Sequence, residues 1–223
     1  MAPSIPLPAL AAVLALSAAG CIGDSASTAT QAPTGPVDEA FDALAPDGKP
    51  SGWTVHKGSW GAASNATDAA HPLVLRGAGV AEPGLSSIVP PQSFTDFEAT
   101  VAFKMLSGQH PQGAGLVLQF KDDDNYQIIR YSTTENGWHL FTVTAGNREK
   151  QGSASVAGET HPEQNQWVNL RVVSSGGHVQ AFDGATKVID YTLPATASHS
   201  GGVGPFVRGD TVAVFDDLKV HAA

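Results

Sequence analysis

The chain has 223 residues, of which 42% are hydrophobic, and it carries 12 lysines and arginines against 21 aspartates and glutamates, a formal net charge of -9. This length and apolar content suit one medium-sized domain with a hydrophobic core. The acidic balance argues against nucleic acid as a partner, because phosphate backbones are bound by clustered lysine and arginine. It also argues against electrostatic docking on anionic lipid, so the expected partners are neutral or uncharged polymers.

The N-terminus predicts an export signal. Residues 9–19, ALAAVLALSAA, form an apolar run of 11 residues, the length of a signal-peptide core. A bilayer span needs about 20 residues, so the run is too short to cross a membrane. We therefore predict a signal peptide over residues 1–20. Cys21 is the only cysteine of the chain, which excludes an internal disulfide.

Residues 17–21, SAAGC, resemble the lipobox of bacterial lipoproteins, in which the cysteine is lipidated and becomes the first residue. The resemblance implies an extracytoplasmic, cell-envelope protein that touches the membrane only through its lipidated N-terminus. Ala18 stands where leucine is usual, and no lysine or arginine precedes the apolar run, so an ordinary secretory signal is the alternative. Residues 21–37 are rich in Ser, Thr, Ala, Pro and Gly, which predicts a flexible tether before a domain at 38–223.

From Asp38 onward the hydrophobic pattern has a period of two. In DFEATVAFKM, residues 96–105, the alternate residues from Phe97 to Met105 share one face, as in a strand with one wet side. Eight further apolar segments follow, separated by turn sequences such as SSGG and DGA, and no amphipathic helix is evident. About a dozen short strands predict an all-β fold, an antiparallel two-sheet jelly-roll sandwich.

Three stretches resemble a known family: FDALAPDGKPSGWTVHKGSWGA at 41–62, FKDDDNYQIIRYSTTENGWHLF at 120–141 and GGVGPFVRGDTVAVFDDLKV at 201–220. Their order is similar to the concanavalin A-like (LamG-like) jelly rolls of extracellular bacterial proteins, nearest the 3-keto-disaccharide hydrolase (DUF1080)-type group. The resemblance implies a sandwich whose concave face often meets carbohydrate. These motifs identify a fold rather than an activity.

The closing strand places Asp216 among aliphatic residues of the same parity. An unpaired buried carboxylate is costly, so Asp216 needs hydrogen bonds, a cation or a return to water. The family resemblance implies a structural calcium held by Asp216 together with backbone near Asp38–Asp42. The alternative is an aspartate that is hydrogen-bonded to a neighbouring turn.

Local catalytic motifs are absent from the sequence. A retaining glycosidase of this fold would place two acids about 5 Å apart on one strand, as in E-x-D-x-E, and no such triplet occurs. The eight histidines lack zinc-site spacing. The run KDDDN at 121–125 predicts a solvated turn between two strands. An enzyme acting on 3-keto-glycosides would need a base, and the candidates are Glu98, Asp124 and His139.

Sugar sites combine aromatic platforms with amide and guanidinium donors. The residues of these types on the predicted strands form the candidate ligand-binding set: Gln119, Gln127, Arg130, Trp138 and Arg171. For each of them the alternative is a solvated or sheet-packing side chain. Parity does not decide which face of GWHLFTVT, residues 137–144, points inward.

Two functions stay open, and we favour the first. It is a monomeric, non-catalytic module, secreted or lipid-anchored, that binds a glycan or an envelope polysaccharide. The alternative is a glycoside-active hydrolase or lyase of the 3-keto-disaccharide type. A purely structural envelope protein is a third reading, and it predicts neither binding nor turnover.

Overall fold

The computed structural model describes residues 33, 35–80, 85–108, 112–155 and 164–223. The predicted signal peptide, Cys21 and most of the predicted tether lie outside these described residues. Within the described ranges, no helix is long and apolar enough to cross a membrane.

Within the described ranges, the first sheet has eight strands. They are β1 (Val37–Glu39), β3 (Ser59–Ser64), β4 (Leu73–Ala78), β6 (Phe97–Ser107), β11 (Trp167–Ser175), β12 (His178–Asp183), β13 (Thr186–Thr192) and β15 (Val212–Ala222). Their order is β13-β12-β11-β6-β15-β4-β3, and β1 pairs with the last part of β15.

The second sheet has seven strands among the residues that the structure describes. They are β2 (Thr54–Val55), β5 (Ser86–Val89), β7 (Gly113–Asp122), β8 (Asn125–Ser132), β9 (Gly137–Thr144), β10 (Asn147–Ser155) and β14 (Gly202–Val207). Their order is β10-β9-β8-β7-β14-β5-β2, and every pair is antiparallel.

The main core lies between the two sheets. The alternate residues of β6 from Phe97 to Met105 all point into it, as the sequence predicts. The Phe103 ring packs against Trp138 of the other sheet at 6.2 Å and against Phe215 at 6.0 Å between ring centroids. The predicted all-β, two-sheet jelly-roll sandwich is therefore confirmed.

Three details refine the sequence predictions. Val37, the residue before the predicted domain boundary, is buried and pairs with Val220 as part of β1. β10 was not predicted, because its polar sequence lacks the alternation of apolar residues that marks a strand. Among the described strands it lies at the edge of its sheet and pairs with β9, a position that suits polar residues. The acidic turn is as expected: Asp122 Oδ1 accepts hydrogen bonds from Asp124 N at 3.0 Å and from Asn125 Nδ2 at 2.7 Å.

Candidate functional site

The face of the second sheet that points away from the main core, which we call the outer face, is also buried. Its apolar side chains form a second hydrophobic cluster, separate from the core, that includes Val117, Ile128, Val143 and Phe206. β8 and β9 are therefore apolar on both faces, which explains why their sequences show no clean alternation. The outer face is therefore not simply a solvent-exposed surface of the sheet.

A polar cluster lies at one end of the outer face. Arg130 of β8 is the register partner of His139 of β9, Glu135 comes from the turn between these strands, and Arg208 follows β14. Arg130 Nη2 donates a hydrogen bond to Glu135 Oε2, and Glu135 Oε1 lies 3.7 Å from Arg208 Nη1. His139 Nε2 lies 3.2 Å from Glu135 Oε2 but is not aligned for a hydrogen bond. We call these four residues the arginine cluster.

The floor of the arginine cluster holds unmatched donors. Arg130 is fully buried, and within the described chain its Nε and Nη1 have no hydrogen-bond partner, as is also true of His139 Nδ1. Buried donors without partners are costly and rare in folded proteins. The side chains at the rim are open to solvent, since Glu135 is 38% and Arg208 29% exposed. Unmatched buried donors beneath partly exposed charged side chains make the arginine cluster a candidate ligand site.

Backbone contacts assemble the cluster from distant parts of the chain. Arg208 N donates to Gly113 O at 2.8 Å, and Gly113 N donates to Thr211 Oγ1 at 3.0 Å. Gly113 also leaves room for the guanidinium, because a Cβ there would lie 2.9 Å from Arg130 Nη1. The turn after β14 is thus tied to the start of β7, beside Arg130.

An aromatic ring borders the arginine cluster. The Phe141 ring centroid lies 5.2 Å from Arg130 Cζ, 3.8 Å from Arg148 Cζ and 6.0 Å from Lys150 Nζ. These are cation–π distances. The ring therefore gathers further positive charge at this end of the outer face.

Burial sets the protonation of the cluster. It lowers the pKa of His139 to about 4, against the opposing effect of Glu135, and it lowers the pKa of Arg130 to about 10 with help from Arg208. Burial alone would raise the pKa of Glu135, but Arg130 holds it below the usual value. At neutral pH the imidazole is therefore uncharged, while the carboxylate and the guanidinium remain charged.

A cavity of about 400 Å³ lies toward the other end of the outer face. It is lined by His56, Phe120 and Val89 and by the backbone around Gly201, and Phe120 and Val89 belong to the outer-face apolar cluster or pack against it. The His56 ring packs on Phe120 with centroids 4.0 Å apart, and His56 Nδ1 lies 3.5 Å from Asp123 Oδ1. The outer face thus combines a polar cluster, an apolar strip and a cavity.

The prediction that Trp138 binds ligand is wrong. Its side chain is fully buried in the main core, where its ring contacts Phe103 and Tyr131. The register explains the error: His139 and Phe141 occupy the outer face, so Trp138 must point between the sheets. A ring in that position cannot stack on a sugar.

The other predicted ligand residues do not come together. Gln119 is buried, lies at a register shift of β7 with a φ of 45°, and donates to Thr95 O at 2.8 Å. Gln127 is buried and donates to Ser198 O. Arg171 lies on the opposite sheet, 3.7 Å from Glu98. Of the predicted set, only Arg130 lies in the arginine cluster.

The three candidate bases are also separated. Glu98 lies on the first sheet beside Arg171, and Asp124 is exposed in the β7–β8 turn. His139 alone belongs to the arginine cluster. The strand positions therefore do not assemble these three residues into one catalytic group.

Asp216 takes the hydrogen-bonded arrangement that was the alternative to calcium. His71, in the turn between β3 and β4, lies with Nδ1 2.7 Å from Asp216 Oδ2, and Asp217 N donates to Asp216 Oδ1 at 2.8 Å. Donor atoms of His71, Asp216 and Asp217 lie within 4.8 Å of one another. Carboxylates suit calcium, whereas an imidazole nitrogen suits a transition ion, so the calcium site stays a prediction.

Glu135 and Arg208 are the residues that sequence reasoning missed. Both lie in turns, where no periodicity marks a functional side chain. The one available signal was Arg130, a charged residue inside the apolar segment YQIIRY at 126–131.

A family model described as the 3-keto-alpha-glucoside-1,2-lyase-like domain matches residues 40–221. The chain belongs to this family. The resemblance to the 3-keto-disaccharide hydrolase-type group, inferred from the sequence, is thereby confirmed. No curated protein matches the sequence.

Solved structures with the same fold include carbohydrate-active proteins. The carbohydrate-binding module CBM66 from Bacillus subtilis has a TM-score of 0.62 and 19% identity, over 77% of this chain and 96% of that one. The GH43 protein BlXynB from Bacillus licheniformis has a TM-score of 0.56 and 16% identity, over 83% of this chain but only 39% of its own. A Bacillus subtilis protein of unknown function with a galectin-like fold has a TM-score of 0.54 and 13% identity, over 76% of this chain and 88% of that one. At these identities the likeness shows the fold alone.

Proposed function

We propose that this lyase-like domain binds a glycan on its outer face, through the arginine cluster, without catalysis. The observation that carries the proposal is the buried guanidinium of Arg130, which has two unmatched nitrogens beneath a rim of Glu135 and Arg208. The family match and the fold of a carbohydrate-binding module support a sugar as the ligand.

The chemistry of the arginine cluster suits sugar hydroxyls. A hydroxyl both donates and accepts, and here the Glu135 carboxylate accepts while the Arg130 and Arg208 guanidiniums donate. Neutral His139 supplies one donor and one acceptor nitrogen. The adjoining apolar strip suits the C–H faces of sugar rings, as in other sites with few but well-placed polar groups.

We further propose that the domain acts outside the cytoplasm. The predicted signal peptide and lipidated Cys21 support presentation at the cell envelope, where polysaccharide is available. Mass spectrometry of the membrane fraction tests this part: a lipidated Cys21 is expected, and an unmodified Cys21 would contradict the anchor.

A glycan array probed with the protein, followed by calorimetric titration, tests binding. The wild-type protein and the control Arg171→Gln, altered on the opposite sheet, are expected to bind the same glycan. Arg208→Gln, altered at the rim, is expected to bind it more weakly. Equal binding by all three proteins would place the ligand elsewhere.

The second candidate is a lyase, which the family description and the neutral His139 next to Glu135 favour. In such a reaction a base removes the C2 proton beside the 3-keto group, and the C1–O glycosidic bond breaks as the C1–C2 double bond forms. A histidine with its pKa lowered to about 4 is a weak base at neutral pH, so we rank this function second. Turnover of a 3-keto-disaccharide that is lost in His139→Gln would establish the lyase and overturn the non-catalytic proposal.

A further inference from the structure

Positive charge is concentrated at one end of the outer face, although the chain as a whole carries a net charge of -9. Arg130, Arg148, Lys150 and Arg208 gather around the Phe141 ring and Glu135. These are four of the 12 basic residues in the chain. A concentration of positive charge beside a candidate site, in a protein that is acidic as a whole, favours a ligand that carries negative charge.

The charges of this cluster are not balanced as they are elsewhere in the described chain. On the first sheet, basic side chains lie near their own carboxylates: Lys104 near Asp68 at 3.6 Å and Arg171 near Glu98 at 3.7 Å. In the arginine cluster, both Arg130 and Arg208 lie near Glu135, the carboxylate that the described ion pairs place beside each of them. One negative charge therefore serves two guanidiniums.

We propose that the arginine cluster binds an anionic substituent of the glycan, a uronic acid carboxylate or a sulfate ester. This inference rests on the proposed function and specifies its ligand. The Nε and Nη1 donors of Arg130 and the partly exposed guanidinium of Arg208 contact the anion, since guanidinium groups match the oxygens of carboxylate and of tetrahedral oxyanions.

The buried position makes the charge of the ligand matter. Burial and the neighbouring Arg208 and Arg148 lower the pKa of Arg130 to about 10, so the positive charges already disfavour one another. An anion between Arg130 and Arg208 relieves that repulsion, whereas a neutral sugar leaves it in place. His139, uncharged at neutral pH, and Glu135 are left to contact ring hydroxyls.

The test compares charged and neutral forms of the same backbone. Wild-type protein is titrated with oligogalacturonate and its methyl ester, and with a sulfated galactan oligosaccharide and its desulfated form. Arg208→Gln is the test variant, because this rim residue is part-exposed and its loss leaves the floor intact. Arg171→Gln is the matched control on the opposite sheet, and equal melting temperatures check the fold of both variants.

We expect one charged form to bind at least about tenfold more tightly than its neutral partner, the factor typical of one hydrogen bond to a charged group. Arg208→Gln should lose about that factor for the charged form and little for the neutral one. The preferred pair identifies the anion as carboxylate or sulfate. Added salt should weaken the charged complex selectively.

Equal affinity for charged and neutral forms would overturn the anionic ligand, and so would an unchanged charge preference in Arg208→Gln. Either result leaves glycan binding intact if neutral sugars still bind. Failure to bind any glycan, on these four ligands and on the array, would overturn both the inference and the proposed function.

Discussion

Replacing Arg130 with methionine should stabilise the domain while it removes glycan binding. The side chain is fully buried, and only one of its three nitrogens has a hydrogen-bond partner in the described chain. Methionine is unbranched, flexible and needs no partners, so Arg130→Met removes the unmatched donors and fills much of the same space. Glu135 loses one partner but keeps Arg208 beside it, and because it is 38% exposed it can be hydrated.

The size of the effect follows from the pKa of Arg130. A pKa lowered to about 10 means that burial and the neighbouring arginines, after the attraction of Glu135 is counted, disfavour the charged side chain by about 3 kcal/mol relative to water. The smaller methionine packs less completely than the guanidinium and offsets part of this, so the expected net gain in the free energy of unfolding is about 1–2 kcal/mol. For a domain of this size the melting temperature should rise by about 3–6 °C.

Urea unfolding of wild-type, Arg130→Met and Arg171→Met proteins measures the change. Arg171→Met alters a partly exposed arginine on the opposite sheet and should stay within about 0.5 kcal/mol of wild type. A loss of more than about 1 kcal/mol in Arg130→Met would refute the reasoning, because it would show that the guanidinium is a structural hydrogen-bonding group. Glycan binding that survives the change would do the same.

Three further predictions concern stability. Burial lowers the pKa of His139 to about 4, so the contribution of the neutral imidazole to the free energy of unfolding is complete above about pH 6.5 and is lost as pH falls toward 4. His139→Gln should therefore reduce the loss of stability between pH 7 and pH 4, measured by urea unfolding, by about 1–3 kcal/mol. An unchanged pH profile would contradict this prediction. Gly77→Ala would place a Cβ 2.4 Å from the Trp60 ring and should cost about 1–3 kcal/mol in thermal melts, whereas Gly35→Ala, with no atom within 4 Å, should be neutral. Calcium should raise the melting temperature of wild type but not of Asp216→Ala, and identical wild-type melts with calcium and with chelator would remove the calcium prediction.

The orientation of a strand could be predicted from the sequence wherever one of its faces is exposed to solvent. β6 alternates cleanly because its inner residues fill the core while Glu98 and Lys104 lie outside. β8 and β9 could not be oriented in the same way, because both of their faces are buried. The two strands whose facing could not be predicted from the sequence are the ones that carry Arg130 and His139 of the arginine cluster.

Less of the candidate site was predictable. Arg130, His139 and Trp138 were singled out by residue type, and because parity did not decide the face of Trp138, its burial in the main core could not be predicted. Arg208 reaches the site through a backbone contact with Gly113, far away in the sequence. His71 reaches Asp216 across 145 positions. Such contacts depend on sheet order, which local patterns do not specify.

The most direct test of the account is a crystal structure of the protein with the glycan that binds most tightly on the array. The account predicts a sugar on the outer face, with an oxygen atom within hydrogen-bonding distance of Arg130 Nε or Nη1 and an anionic group next to Arg208. A sugar bound instead on the first sheet, near Arg171, would contradict it.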